Sequence, residues 1–303
     1  MNCYRRIYSL LVIGLTAFFL SCSDKNNDSL HSAYYWTTTF KMSEPKAEFI
    51  KKHDVKRLYM RFFDVVMDPY DKPMPNATIE FIDTIPDSLE IVPTVYVMNE
   101  CMGADIDDLA DKVTKRILQM CETHHIRNVH EIQIDCDWTR RTQDRYFAFL
   151  ENVRNRLKEK EKSLSATIRL HQLSMSVPPV DRGALMVYNT GDVTDRNVKN
   201  PILDIEDVKP YMPYLKKYEL PLVAAYPVFS WDVIFRGNRF IGIKHNENEY
   251  PENSSDTVIN YRPKPKEIEE VKSLIDKVAP KTNNEIIIYD LSDKNLKDIP
   301  FTY

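Results

Sequence analysis

Eight short runs that read as β-strands recur along the chain, and the segments between several of them carry helical periodicity; this alternation constrains the fold more than any other feature. The runs are residues 33–38, 55–63, 91–98, 131–137, 164–170, 184–188, 220–226 and 285–289. Several are apolar almost throughout, as strands covered on both faces are. Asp105 can cap a helix that carries Leu109, Val113, Ile117 and Met120 on one face. After Thr142, residues Tyr146, Phe149, Leu150, Val153 and Leu157 fall at helical spacing. Pro265 opens a helix with Ile268, Val271, Ile275 and Val278 inward, and a shorter helix at residues 44–52 follows the first run. Strand and helix alternating in this way predict an α/β protein, a (β/α)8 TIM barrel. The second crossover has no helical pattern and looks extended at 78–82, and the fifth is short and Pro-rich, so both are expected to be irregular. The sixth, near 208–217, contains Pro210 and Pro213. An open doubly wound sheet is the alternative.

The N-terminus has a separate logic. Arg5 and Arg6 precede an apolar run at 7–20, and Ser21 precedes Cys22, which is the order of an export signal. The fourteen residues of that run span about 21 Å as a helix, short of the ~30 Å hydrocarbon core, so a spanning anchor is disfavoured. The segments expected are therefore a lipoprotein signal peptide at 1–21, a lipidated Cys22 with a polar tether at 22–30, and one barrel domain at 31–303. Phe19-Leu20-Ser21-Cys22 resembles a lipobox, which implies diacylation of the Cys22 thiol and attachment to a membrane through lipid. The polar stretch at 23–29 resembles the leaders that send lipoproteins of the Bacteroides group to the outer face of the outer membrane, although the periplasmic face stays open.

A formal net charge of -4 provides no broad basic field, so nucleic acid is not an expected partner. With only six glycines, no glycine-rich phosphate cradle is present, and no G-x-S-x-G elbow occurs; no cofactor is expected. Cys101, Cys121 and Cys136 lie in no zinc spacing, and no metal site is expected. A Cys101–Cys121 disulfide is permitted, whereas Cys136 reads as a small core residue.

Barrel active sites sit at the C-terminal ends of the strands. Here those ends are polar and aromatic: Trp36, Arg61 with Asp64, Asn99 with Glu100, Asp135 and Asp137 with Trp138, Arg169 with His171, Tyr188 with Asn189 and Asp192, Trp231 with Asp232, and Asp290. Loops are polar anyway, which accounts for Asp64, Glu100 and Asp290. Asp135 and Asp137 are different, because two residues apart on a strand they share a face, with Cα atoms roughly 7 Å apart. Such a pair suits acid–base work or stabilisation of positive charge, unless Arg61 or Arg169 holds it as a structural ion pair. His171 could join the pair around a cation but is better read as a wall residue. Trp36 and Trp231 are candidates for stacking on a sugar ring.

The run Ile134-Asp135-Cys136-Asp137-Trp138 resembles the fourth-strand signature of glycoside hydrolase family 18, the chitinase-like barrels, D-x-x-D-x-D-x-E. Leu185-Met186-Val187-Tyr188-Asn189 resembles that family's M-x-Y-D/N segment. The resemblance implies that Tyr188 and its neighbour hold an acetamido group, and that Asp135 and Asp137 stabilise the reacting centre. It departs at the acid: the position two after Asp137 is Thr139, and the position of the first Asp is Ile132. Residues 129–135 with the helix that follows also resemble an uncharacterised bacterial barrel family, which implies a fold and no activity.

Three readings follow. In the first the chain is a lipid-anchored glycoside hydrolase-like barrel acting on a glycan, with catalytic roles for Asp135, Asp137 and Tyr188, Glu100, Asp192 or Asp232 as the missing acid, and Trp36, Arg61, Trp138, Arg169, His171, Asn189, Asp192 and Trp231 on the substrate. In the second it is a glycan-binding protein on a hydrolase scaffold that has lost its acid, which Thr139 favours. The third is a barrel that serves only as a scaffold at the envelope.

Overall fold

The computed structural model describes residues 30–244, 249–250 and 253–296. Eight parallel strands close into a ring: β1 Leu30–Tyr35, β2 Arg57–Met67, β3 Glu90–Val97, β4 Glu131–Asp135, β5 Ser163–Arg169, β6 Arg182–Met186, β7 Leu222–Pro227 and β8 Glu285–Tyr289. Closure is decided at β1, which pairs in parallel with β8 on one side and with β2 on the other. The open sheet is thereby excluded, and the fold is a (β/α)8 barrel. β1 begins at Leu30, a residue before the expected domain boundary, and ends before Trp36 rather than at 38. The signal segment, Cys22 and the tether through 29 lie outside the described residues.

Period-two alternation divides the apolar residues into two shells. Outward positions such as Leu58, Ile132, Ile134, Ile168, Leu185, Ala224 and Ile288 pack beneath the helices. Inward positions such as Tyr34, Val92, Ala184, Met186, Val223 and Ile287 fill the barrel. The helices are α1 Glu44–Lys52, α2 Ile106–Thr123, α3 Gln143–Lys158 and α4 Pro265–Val278. Asp105 caps α2 by accepting from the backbone N–H groups of Asp107 and Asp108 at 3.0 and 3.2 Å. The second crossover holds no helix, only strand Pro73–Asn76 folded back on β2 and Glu80–Phe81 paired with Thr39–Phe40. The fifth has a single 3-10 turn, Leu170–Ser174, and the sixth only short helical pieces between Ile205 and Leu215.

An antiparallel sheet of three strands follows β7, with Trp231–Arg236 between Arg239–Lys244 and Asp256–Tyr261. Its first hairpin turns at Gly237, whose φ of 62° favours glycine. Cys101, Cys121 and Cys136 are free thiols, so the permitted disulfide is not formed, and Cys136 is buried among the outer-shell residues as expected.

The first inward position of five strands is charged, and these groups plug the N-terminal end of the barrel. Arg182 donates to Glu131 at 2.7 Å, to Glu285 at 2.6 Å and to the Tyr59 hydroxyl at 2.6 Å. Arg57 donates to Glu285 and Glu90, both at 2.9 Å. The opposite end stays open.

Candidate functional site

The open end is a cavity of about 1010 Å³ at the C-terminal ends of the strands. One side of its lining is charged. β4 continues its inward parity from Gln133 through Asp135 to Asp137, so both carboxylates reach the mouth. Arg169, the last residue of β5, lies across from them: its Nε donates to Asp137 at 2.6 Å and its Nη2 to Asp135 at 3.2 Å. Thr167, one inward step below Arg169, donates to Asp135 at 2.6 Å. Burial pushes the Asp135 carboxyl upward, with Arg169 and the Thr167 hydrogen bond opposing it. Arg169 is held charged in spite of its burial by Asp135 and Asp137. Tyr96, inward on β3, is pushed up to about 12 by burial and then by Asp137 and Asp135.

Arg61 and Asp64 form a second ion pair, through Nε at 2.7 Å and through Nη2. Three residues apart on a regular strand, they would face opposite sides. The register of β2 against β3 shifts between Arg61 and Phe63, so Phe62 and Phe63 both join the outer shell and Asp64 returns to the inner face opposite Tyr96. Arg61 also lies over the Trp36 ring, 5.6 Å from its centroid.

The other side of the cavity is aromatic. Tyr188 and Tyr289 stack at 4.8 Å, Trp36 lies 5.8 Å from Tyr289, and Phe229 lies 5.9 Å from Tyr289 and 5.4 Å from Trp231. These rings are contributed by β8 and by the segments that follow β1, β6 and β7. Asp290, next to Tyr289, also lines the cavity. Its carboxyl is pushed up by burial, against hydrogen bonds from Ser292 and Asn295.

The cavity lining includes Trp36, Arg61, Asp135, Asp137, Trp138, Arg169, His171, Tyr188, Asn189 and Trp231 from the residues expected at the site. Trp138 does not present a stacking face. It falls on the outward parity of β4 after Ile132, Ile134 and Cys136, is 1% exposed, and packs on Tyr146 at 5.9 Å and on Phe147 at 5.3 Å. The three carboxylates considered for the missing acid are not in the lining. Glu100 is exposed on a 3-10 turn, Asp192 accepts from the Thr194 backbone and hydroxyl at 2.8 and 2.7 Å, and Asp232 accepts from Asn260 at 2.7 Å on the antiparallel sheet. Thr139 does line the cavity, with its backbone N–H donating to the Thr142 hydroxyl.

Sequence reasoning passed over Tyr96, Phe229 and Tyr289, and set Asp64 and Asp290 aside as ordinary loop polarity. Inward parity was the available signal for Tyr96, two after Thr94, and for Tyr289, two after Ile287. For Asp64 there was none, because the bulge at Phe62 reverses the parity.

Among solved structures, the chain is similar to the spore cortex-lytic enzyme SleL of Bacillus megaterium QM B1551, with TM-score 0.58 and 12% identity over 89% of this chain and 73% of that one. It is similar to a chitinase from Chromobacterium violaceum ATCC 12472, with TM-score 0.58 and 9% identity over 89% and 98%. A third is the GH18 chitinase ChiB from the chitin utilization locus of Flavobacterium johnsoniae, with TM-score 0.51 and 13% identity over 90% and 95%. The fold these proteins share with the chain is the (β/α)8 barrel. At these identities the likeness is one of fold. No family model matches the sequence, and no curated protein matches it.

Proposed function

We propose that the chain is a lipid-anchored barrel that binds a glycan in its mouth and does not cleave it. One observation carries the ligand class: the cavity sets an aromatic wall, Trp36, Phe229, Trp231 and Tyr289, against the carboxylate–guanidinium set of Asp135, Arg169 and Asp137. Sugar rings have apolar C–H faces that pack on aromatic rings and hydroxyls that exchange hydrogen bonds with charged groups, so a glycan satisfies both sides at once. The similar proteins named as chitinases and a spore cortex-lytic enzyme support the same ligand class.

The argument against cleavage is chemical. Glycoside hydrolysis needs a carboxylic acid to protonate the leaving oxygen. Thr139 stands where the resemblance puts that acid, and a hydroxyl does not do this near neutral pH. Glu100, Asp192 and Asp232 are outside the cavity lining, and Asp137 accepts from Arg169. A second reading, hydrolysis, rests on Asp290, whose raised carboxyl lines the cavity.

Attachment through Cys22 to the outer membrane, at the cell surface or on its periplasmic side, belongs to the same proposal and is supported by the residues around Cys22. A glycan-array screen of the mature chain, repeated with Trp231→Ala and Asp137→Asn, tests the binding reading. Hits that both substitutions weaken, with every glycan recovered intact, support it. Product that disappears with Asp290→Asn would instead establish hydrolysis.

A further inference from the structure

The rim of the barrel opposite the mouth is not evenly charged. Its loops enter the strands in ring order, so those before β7, β8 and β2 are the neighbours of the point where the chain enters at Leu30. The segments 51–56, 216–221 and 277–284, which form this sector, hold seven lysines and two carboxylates. Lys51, Lys52 and Lys56 lie on one side of the entry point, and Lys216, Lys217, Lys277 and Lys281 on the other, all exposed. Only Lys56 has an ion-pair partner among the described residues, Asp54. The remaining rim segments, 86–89, 122–130, 158–162 and 177–181, hold four cations and five carboxylates. Lysines at helix C-termini complement the helix dipole, which accounts for Lys51, Lys52 and Lys277 and in part for Lys216, the C-cap of the four-residue helix Met212–Leu215, whereas Lys56 and Lys217 lie beyond helix ends and Lys281 sits in the short 3-10 helix Pro280–Asn284. The mouth has the opposite balance: Asp64, Asp135, Asp137 and Asp290 against Arg61 and Arg169. In a chain with a formal charge of -4, the sector around the point of entry therefore carries a local excess of positive charge.

Between Lys216 and Lys281 a groove of about 610 Å³ opens on the same sector, lined by apolar Leu215, Leu220, Val278 and Pro280. An apolar groove bordered by lysines suits the boundary between headgroups and acyl chains.

We propose that this lysine crescent docks on an anionic bilayer surface and turns the glycan-binding mouth away from the membrane. The inference builds on the proposed anchoring at Cys22: seven residues lie between Cys22 and Leu30, a reach of at most about 28 Å from Cα to Cα, which keeps this rim close to the lipid. The occupant follows from charge. Phosphate-bearing headgroups attract clustered lysines, each contributing about fivefold to partitioning, and salt weakens the attraction.

The test uses the mature chain carrying Cys22→Ala, which has no acyl group, sedimented with phosphatidylcholine vesicles that contain or lack phosphatidylglycerol. The expected result is binding only to the anionic vesicles, lost in about 0.5 M salt. Lys216→Glu, Lys217→Glu and Lys281→Glu combined should weaken it at least about a hundredfold. Lys158→Glu with Lys160→Glu, on the balanced sector, should weaken it far less, which controls for general charge and for folding. Equal binding to both vesicle types, no binding by the parent chain, or equal losses from the two sectors would overturn the proposal. Failure of the anchoring reading is recorded separately, as a wild-type chain whose intact mass lacks the acyl groups.

Discussion

Arg169 Nε donates to Asp137 Oδ1 at 2.6 Å across the top of the barrel. This bond fixes the chemical character of the mouth, because it makes the exposed carboxylate of the β4 pair an acceptor for a guanidinium at the place where a hydrolase would present reactive groups. The same guanidinium offsets the burial of Asp135 beneath it. One cation therefore holds together two carboxylates that would otherwise repel.

Arg169→Met should cost about 3 kcal/mol at neutral pH, since it leaves a buried carboxylate without its cation. Burial already raises the Asp135 carboxyl in the folded state, and removing Arg169 raises it further. A folded carboxyl above its unfolded value loses stability as pH rises through that interval, so the deficit of the variant should shrink as pH falls. Urea melts across the acid range check the sign.

At the other end of the barrel the two buried glutamates should respond differently. Glu285 is held below its ordinary value despite burial, by Arg182 and then Arg57, whereas burial raises Glu131 in spite of Arg182. Stability from Glu285 is present above its unfolded value near 4.3 and is lost as pH falls through the lower folded value. Glu285→Gln should therefore cost about 3 kcal/mol and flatten acid unfolding. Glu131→Gln should cost about 1 kcal/mol, as Arg182 keeps Glu285. Denaturant melts at neutral and acid pH separate them.

Three tryptophans were expected near the ligand, and two remain candidates. Trp138→Ala removes a ring buried against Tyr146 and Phe147 and should cost about 3–5 kcal/mol. Trp231→Ala, half-buried at the cavity edge, should stay within about 1 kcal/mol in stability. It should nevertheless lower glycan affinity at least about tenfold, or ~1.4 kcal/mol. Thermal melts and glycan titrations on the two variants give opposite patterns.

The barrel was legible because its signals are periodic and local. Apolar runs of strand length, Asp105 as a cap and Pro265 as a helix opener each act within a few residues. The antiparallel sheet after β7 escaped notice although Gly237-Asn238 between Trp231–Arg236 and Arg239–Lys244 marks a hairpin; its strands are partly exposed and their alternation is weak. The ion plug of Arg57, Glu131, Arg182 and Glu285 joins residues remote in sequence, which only closure of the ring brings together. At the site, Asp135, Asp137, Arg169 and Tyr188 followed from strand ends and spacing. Trp138 was read from its adjacency to Asp137; it does line the cavity, but its outward parity packs the ring on Tyr146 and Phe147. Asp64 depended on a bulge, a tertiary feature that residue spacing does not announce.

The central claim is that the mouth holds a glycan and leaves it whole. Calorimetric titration of glycans selected by array into the wild-type chain and Trp231→Ala tests it most directly, because binding gives heat that saturates and turnover gives heat that continues. The account predicts saturating heat for the wild type, its loss in Trp231→Ala and no continuing signal. A sustained turnover signal abolished by Asp290→Asn, or no binding heat from any glycan, would contradict it.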